Sequence, residues 1–236
     1  MKVQVFDIQE GIYSFEMEGI DTAFHSHPAW EVIFVETGSL KVITPEQQFE
    51  DLAFVAIAPN QLHRVVGMDC LLRILMFEYR NDKTLSYLKA TDLQCLNDCY
   101  YTSVKKDANR IFEELWKSTA YEVRSKYADD RINKCMGVLG NPGLSYDEMM
   151  KEVQHVVHLS ESRISHLFKE HVGISMKKYL LWNRLKWTID TVLKDGENLF
   201  SSGLYHGFFD QPHLSRAFKE MMGISPSAVY NSRTLQ

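Results

Sequence analysis

Ser165-His166-Leu167-Phe168-Lys169-Glu170-His171-Val172-Gly173-Ile174-Ser175 returns 50 residues later as Ser215-Arg216-Ala217-Phe218-Lys219-Glu220-Met221-Met222-Gly223-Ile224-Ser225. Seven of the eleven positions match at a single offset, which marks an internal repeat. Two copies are too few to stack into a solenoid, so the repeat reads as a duplicated supersecondary unit. In each copy the phenylalanine falls on an apolar stripe at helical spacing, and the glycine ends the helix as a left-handed cap.

Outward from this core, the first copy predicts a helix over Tyr146 to Val156, with Met149, Met150, Val153 and Val157 inward. His158-Leu159 makes the turn, and Ser160 caps a second helix whose first turn holds Glu161 and Ser162. Ile164, Leu167 and Phe168 form the apolar stripe of that helix, and Arg163, Ser165, His166 and Lys169 lie mostly off it. The second copy repeats the plan: Leu199 to His206 is helical, Gly207 ends it, Asp210 caps the next helix, and Pro212 sits in the first turn. Leu214, Phe218 and Met221 or Met222 face inward, leaving Gln211, His213, Ser215 and Arg216 polar and presentable. Two helices joined by a tight turn form a helix-turn-helix, whose second helix fits the major groove. Met176 to Lys194 reads as one linking helix. It is about 28 Å long, near the roughly 34 Å turn of DNA, so it suits placing two reading helices in successive grooves.

Upstream, Gly140-Asn141-Pro142-Gly143 is the strongest breaker cluster in the chain, and the sequence places a domain boundary there. Residues 1–80 read as short strands, among them Val32-Ile33-Phe34-Val35, Leu40-Lys41-Val42-Ile43, Phe54-Val55-Ala56-Ile57 and Leu71 to Phe77, separated by turn formers. That spacing suggests a sandwich or barrel. From about Lys83 the period becomes helical, so 81–139 is expected to hold two or three helices. Their apolar residues Ile111, Phe112, Leu115 and Trp116 either pack on the barrel or supply a dimer contact. The fold class is therefore α+β: a β-barrel (1–80), a helical segment (81–139) and an all-α domain (144–236) with two helix-turn-helix units.

The chain has 236 residues, 45% hydrophobic and 24% charged, a globular composition. It shows neither a membrane-length apolar run nor a secretion signal, which sets a cytoplasmic expectation. The four cysteines form no CxxC pair, arguing against a zinc knuckle. Cys95 and Cys99, four apart, are expected on one helix face as reduced packing residues, with a redox switch as the alternative. The net charge is -5, but from Gly140 onward 11 bases meet 10 acids, giving +1 and leaving -6 for the rest. The sign of this asymmetry suits a DNA-binding C-terminal domain. Six of the nine histidines lie there, so mild acidity is expected to make it more basic.

Gly207-Phe208-Phe209-Asp210-Gln211-Pro212-His213-Leu214-Ser215-Arg216-Ala217-Phe218-Lys219, followed by Gly223-Ile224-Ser225-Pro226, resembles the signature of the AraC/XylS family of bacterial transcription regulators. The resemblance covers roughly residues 144–233. It implies base-facing positions at Ser162, Ser165 and His166 in copy one and at Gln211, Pro212, Ser215 and Arg216 in copy two. Arg163, Lys169, His213 and Lys219 complete the expected DNA face, the two lysines as phosphate contacts or solvated helix ends. Pro212 stands where the family usually has Ser, and copy one offers small or weakly basic groups where Arg is common. The resemblance further implies promoter or operator DNA, a small-molecule effector, a second copy of the chain and RNA polymerase as partners, and no membrane.

In the N-terminal strands, His25-Ser26-His27-Pro28-Ala29-Trp30-Glu31, and Pro59-Asn60-Gln61-Leu62-His63 after it, resemble the two motifs of cupin barrels. In metal-binding cupins the matching His25, His27, Glu31 and His63 would hold a divalent ion, and imidazole with carboxylate suits Zn, Ni, Fe or Mn. Sensor barrels of AraC-type proteins carry a similar pattern, so the same histidines alternatively line an effector pocket with Phe24, Trp30 and Glu31. Three readings follow: a ligand-responsive DNA-binding regulator, a metal-dependent cupin enzyme, and a regulator with a vestigial barrel. The duplicated C-terminal unit has no use in a cupin enzyme, so a regulator without enzymatic activity is the expectation.

Overall fold

Runs of β-branched and aromatic residues broken by Gly, Pro and Asn build the N-terminal part of the chain. The computed structural model describes residues 1–78, 82–121, 127–141 and 143–226; Pro142 of the breaker cluster and the tail that carries Arg233 lie outside them. The strands are β1 (Lys2–Asp7), β2 (Ile12–Asp21), β3 (Trp30–Thr37), β4 (Leu40–Ile43), β5 (Gln48–Leu52), β6 (Phe54–Ile57), β7 (Arg64–Phe77), β8 (Gln94–Leu96) and β9 (Cys99–Thr102), with α1 (Asp82–Ala90) before β8 and α2 (Lys105–Tyr121) after β9. All pair antiparallel in one sheet of order β1-β2-β7-β3-β6-β9-β8, and β4 joins β7 to β5. The long β7 carries two arms: its first residues pair with β4 and its last seven with β3.

β6 and the first six residues of β3 are buried on both faces, so apart from Glu31 these stretches are continuously apolar rather than alternating. Pleating sends Trp30, Val32, Phe34, Phe54, Ala56, Leu75 and Phe77 to one face, where they pack against Ala108, Ile111, Phe112 and Leu115 of α2. The α2 stripe is thus core of the sheet layer. Arg73 fastens the same contact: its guanidinium carbon lies 5.0 Å from the Phe34 ring centre and 4.7 Å from that of Phe112, and it pairs with Glu113 at 2.7 Å and Glu36 at 2.9 Å.

The segment read as wholly helical contains a hairpin. Asn97 and Asp98 both take positive φ, 49° and 57°, the left-handed pair a two-residue turn between strands requires. Cys95 and Cys99 therefore stand on different strands, with Leu96 opposite Cys99 and Cys95 opposite Tyr100, not on one helix face. All four cysteines are free. Burial pushes the Cys99 thiol up to about 12 and Cys135 up to about 11, and raises Cys70, which keeps these three as inert packing groups.

The chain divides into two compact units, Met1–Ser125 with Lys219–Gln236, and Lys126–Phe218. The second unit holds α3 (Asp130–Leu139), α4 (Tyr146–Val157), α5 (Glu161–Val172), α6 (Met176–Asp195), α7 (Leu199–Tyr205) and the first two turns of α8 (Gln211–Met222). α3 precedes the Gly140 breaker, yet Ile132, Cys135, Val138 and Leu139 share one core with Met149, Met150, Val153, Ile164, Phe168 and Leu180. Buried area, rather than the breaker, decides where α3 belongs.

The helix ends follow local chemistry. Ser145 and Glu148 close a capping box on α4, and the Asp210 side chain accepts the His213 N–H at 2.6 Å. Ser160 occupies the N-cap of α5 but makes no side-chain cap bond. α6 has twenty residues, about 30 Å at the α-helical rise. From its middle, Arg184 reaches both neighbours, donating to the Leu144 carbonyl at 2.8 Å and to the Gly207 carbonyl at 3.1 Å. Gly207 has φ +90°, and a Cβ there would meet the guanidinium at 2.9 Å, so the turn after α7 favours glycine.

Candidate functional site

Two groups of residues carry chemistry. The first is the outward stripe of the repeated helices. On α8, Pro212, Arg216 and Lys219 follow i, i+4, i+7 and are all exposed, as is Gln211 at the helix start. On α5 the matching Ser162, His166 and Lys169 are exposed on the same stripe, beside exposed Arg163. Ile164 and Phe168, like Leu214 and Phe218, turn inward. Ser165 and Ser215 are half-buried, and the Ser165 hydroxyl is hydrogen-bonded to Tyr146 of α4. Its job includes tying the two helices of the unit. His166 is 3.8 Å from Glu170, one turn on.

His213 is less available than the sequence suggests. It is half-buried, with the Phe208 ring edge-on at 5.2 Å and the Phe209 ring stacked at 5.7 Å, and its Nδ1 accepts the Phe209 N–H at 3.4 Å. Burial, with Arg216 nearby, lowers its pKa. Burial also lowers that of His206, whose Nε2 meets the Thr191 hydroxyl at 2.8 Å. Mild acidity therefore gains less charge from these two, and the expected acid-driven increase in basicity is smaller than six histidines suggest. Arg184 and Phe209 are the residues that sequence reasoning misses. The signal for Arg184 is spatial only; for Phe209 it is a large apolar residue immediately before an N-cap.

The second group is a buried cluster in the sheet. β3 turns Trp30 and Glu31 to opposite faces. Glu31 meets His27 Nε2 at 3.2 Å, His63 Nε2 at 2.8 Å and His25 Nε2 at 4.0 Å. His25 and His63 face each other across an antiparallel bridge. All four side chains are buried, with ligand atoms within 4.8 Å of one another. Trp30 falls outside this group: it packs against Phe77 and Tyr100 in the α2-facing core, which corrects its expected place beside the histidines. Phe24 is half-exposed and, with Leu62, Ile43 and Pro45, lines an open cavity of about 470 Å³.

Hydrogen-bond accounting decides what the cluster can hold. His25, His27 and His63 each direct Nδ1 at a backbone carbonyl, of Ala23 at 3.0 Å, Ala29 at 3.0 Å and Gln61 at 2.8 Å. A carbonyl only accepts, so each Nδ1 carries a proton and each Nε2 is turned to the centre, where it donates to Glu31 if it is protonated too and offers a lone pair if it is not. Burial, helped by His63, drives His25 down to about 3, so that ring is neutral. Burial pushes Glu31 up, but the bonds to His27 and His63 outweigh it and hold the carboxyl well below its ordinary value. The centre thus gathers acceptors and negative charge and calls for a cation, either protons on the imidazoles or a metal ion. Carbonyl-oriented imidazoles with one carboxylate fit a divalent ion.

A helix-turn-helix domain family matches residues 154–232. The chain is 33% identical over 108 residues to the arabinose operon regulatory protein of Salmonella typhimurium, covering 42% of this chain and 35% of that one, so the match spans about a third of that relative's length. It is 24% identical over 185 residues to a "probable transcriptional regulator LumQ" of Photobacterium leiognathi, covering 78% and 65%. The fold is similar to that of Vibrio cholerae ToxT with an unsaturated fatty acid bound, at TM-score 0.55 and 12% identity over 92% of this chain and 93% of that one. No helix among the described residues is long and apolar enough to cross a membrane. The duplicated C-terminal unit is thus a helix-turn-helix domain similar to that of the arabinose operon regulatory protein, and the fold of the chain is similar to that of ToxT.

Proposed function

We propose that this chain is a bacterial cytoplasmic transcription regulator that binds promoter or operator DNA through α5 and α8, with α6 setting the spacing between them. The observation that carries the reading is the matched stripe on the two repeated helices, Ser162-His166-Lys169 and Pro212-Arg216-Lys219, exposed while the opposite faces are core. Arg216 and Gln211 have the geometry for paired hydrogen bonds to a base edge; Lys169 and Lys219 suit phosphates. Copy two is the stronger reader, since copy one has no arginine on its stripe. A homodimer on paired half-sites and contact with RNA polymerase belong to the same reading. Gel-shift titration against DNA upstream of the chain's own gene, across a salt series, tests it: salt-sensitive, sequence-specific binding is expected, and its absence on every promoter fragment overturns the proposal.

The N-terminal sheet serves as the sensor in this reading. The Phe24–Leu62 cavity suits a small, largely apolar effector, in keeping with the fatty acid held by the similar fold of ToxT. His25, His27, Glu31 and His63 would hold a divalent ion, which supplies the positive charge their acceptors call for. An ion catalyst needs an open position that substrate can reach; the burial of all four groups favours a structural or sensing role over a cupin enzyme. Elemental analysis with a turnover screen separates the two: metal with turnover supports the enzyme, metal without turnover the sensor.

A further inference from the structure

The hydrophobic staple of helix N-termini pairs the residue before the N-cap with the fourth helical residue. In copy one those positions are Leu159 and Ile164, and Leu159 packs on the core that contains Ile164. In copy two the same positions, 50 residues on, are Phe209 and Leu214. Leu214 is buried at 2% exposure, yet Phe209 is 86% exposed, and the buried aromatic of that turn is Phe208 at 3%. The duplication supplies its own control: one site, two copies, and only the second turns a large apolar ring to solvent. The ring is nevertheless held. It stacks on His213 at 5.7 Å and 26°, and its backbone N–H is bonded to that histidine's Nδ1. An aromatic ring held outside the core thus stands at the N-terminal end of α8, beside exposed Gln211 and about two turns from Arg216.

The N-terminal end of a reading helix is the part that approaches base edges, and the one apolar group on those edges in the major groove is the thymine 5-methyl. We propose that Phe209 is a specificity-determining residue of copy two, contacting a thymine methyl while Gln211 and Arg216 supply hydrogen bonds. This rests on the proposal that α8 reads DNA. It also gives the stacked His213 a positioning role, holding the ring rather than contacting a base.

Deoxyuridine differs from thymidine by that methyl alone, which makes the contact separable. The full chain selects its preferred duplex from a random pool, and each thymine of the half-site is then replaced singly by deoxyuridine. Wild-type protein is expected to lose about fourfold in affinity at one position, the contribution of a buried methyl group. Phe209→Ala is expected to bind thymine and uracil duplexes equally there, with an unchanged thermal midpoint, and Phe209→Leu to fall between. If no position separates wild type from Phe209→Ala while Arg216→Ala still loses specific binding, the assignment is overturned and the ring is left to a protein partner. If wild-type protein selects no sequence, the DNA-reading proposal itself fails, a result distinct from the first.

Discussion

At Gly207 and Arg184 a single atom's space decides whether the two repeated units keep their relation. Gly207→Ala adds a methyl to a backbone at φ +90° and pushes on the guanidinium beneath it; a loss of about 1–3 kcal/mol is expected, read as a lowered unfolding midpoint. Arg184→Met removes the donor to two carbonyls, of Leu144 and Gly207, leaving both unpaired, and is expected to cost about as much again. An unchanged midpoint in both variants would show that the tie carries no stability. Arg216→Ala belongs to binding instead: a loss of about 1–3 kcal/mol of operator affinity with no change in unfolding is expected if Arg216 reads a base, and equal operator affinity refutes that role. The local signals at this scale are legible in the sequence: the Asp210 cap and Gly173 as an αL C-cap. Arg184 is not legible, because its partners lie 40 and 23 residues away along the chain.

Among elements, α2 and the α6–α7 junction make the clearest cases. α2 lies on the sheet through Ile111, Phe112 and Leu115, all buried at 2% exposure or less. Phe112→Ala removes a ring that meets Phe34 and Arg73; a loss of about 3–5 kcal/mol is expected in denaturant unfolding. A loss within experimental error would mean that α2 is held elsewhere. At the α6–α7 junction, burial lowers the His206 pKa below the ordinary 6.5. Such a group gives stability that is present above about 6.5 and is lost as pH falls toward the folded value. The unfolding midpoint is therefore expected to drop between about pH 7 and pH 5, and His206→Gln to make that slope shallower. A slope as steep as wild type would remove His206 as its source. The hairpin β8–β9 escapes sequence reasoning because two short strands of three and four residues carry too few alternations to outweigh a flanking helical period.

For the whole molecule, the prediction concerns the buried cluster. Wild-type protein loaded with a divalent ion is expected to unfold at a higher temperature than after chelation, because an ion bound only to the native state adds stability by mass action. Glu31→Ala and His63→Ala should lose that shift; an ion-independent midpoint in wild type would leave protons as the cation of the site. The sequence by itself determined the repeat, the helix caps and the helix-turn-helix order, and it singled out His25, His27, Glu31 and His63, since these are written in spacing of a few residues and in side-chain chemistry. Tertiary structure alone decided that α3 shares the core of the later helices, that Trp30 turns away from the histidines, that three imidazoles present Nε2 to one carboxylate, and that Phe209 is exposed where Leu159 is packed. Each of those outcomes is settled by which surfaces find a partner far along the chain, and local sequence does not encode that partner.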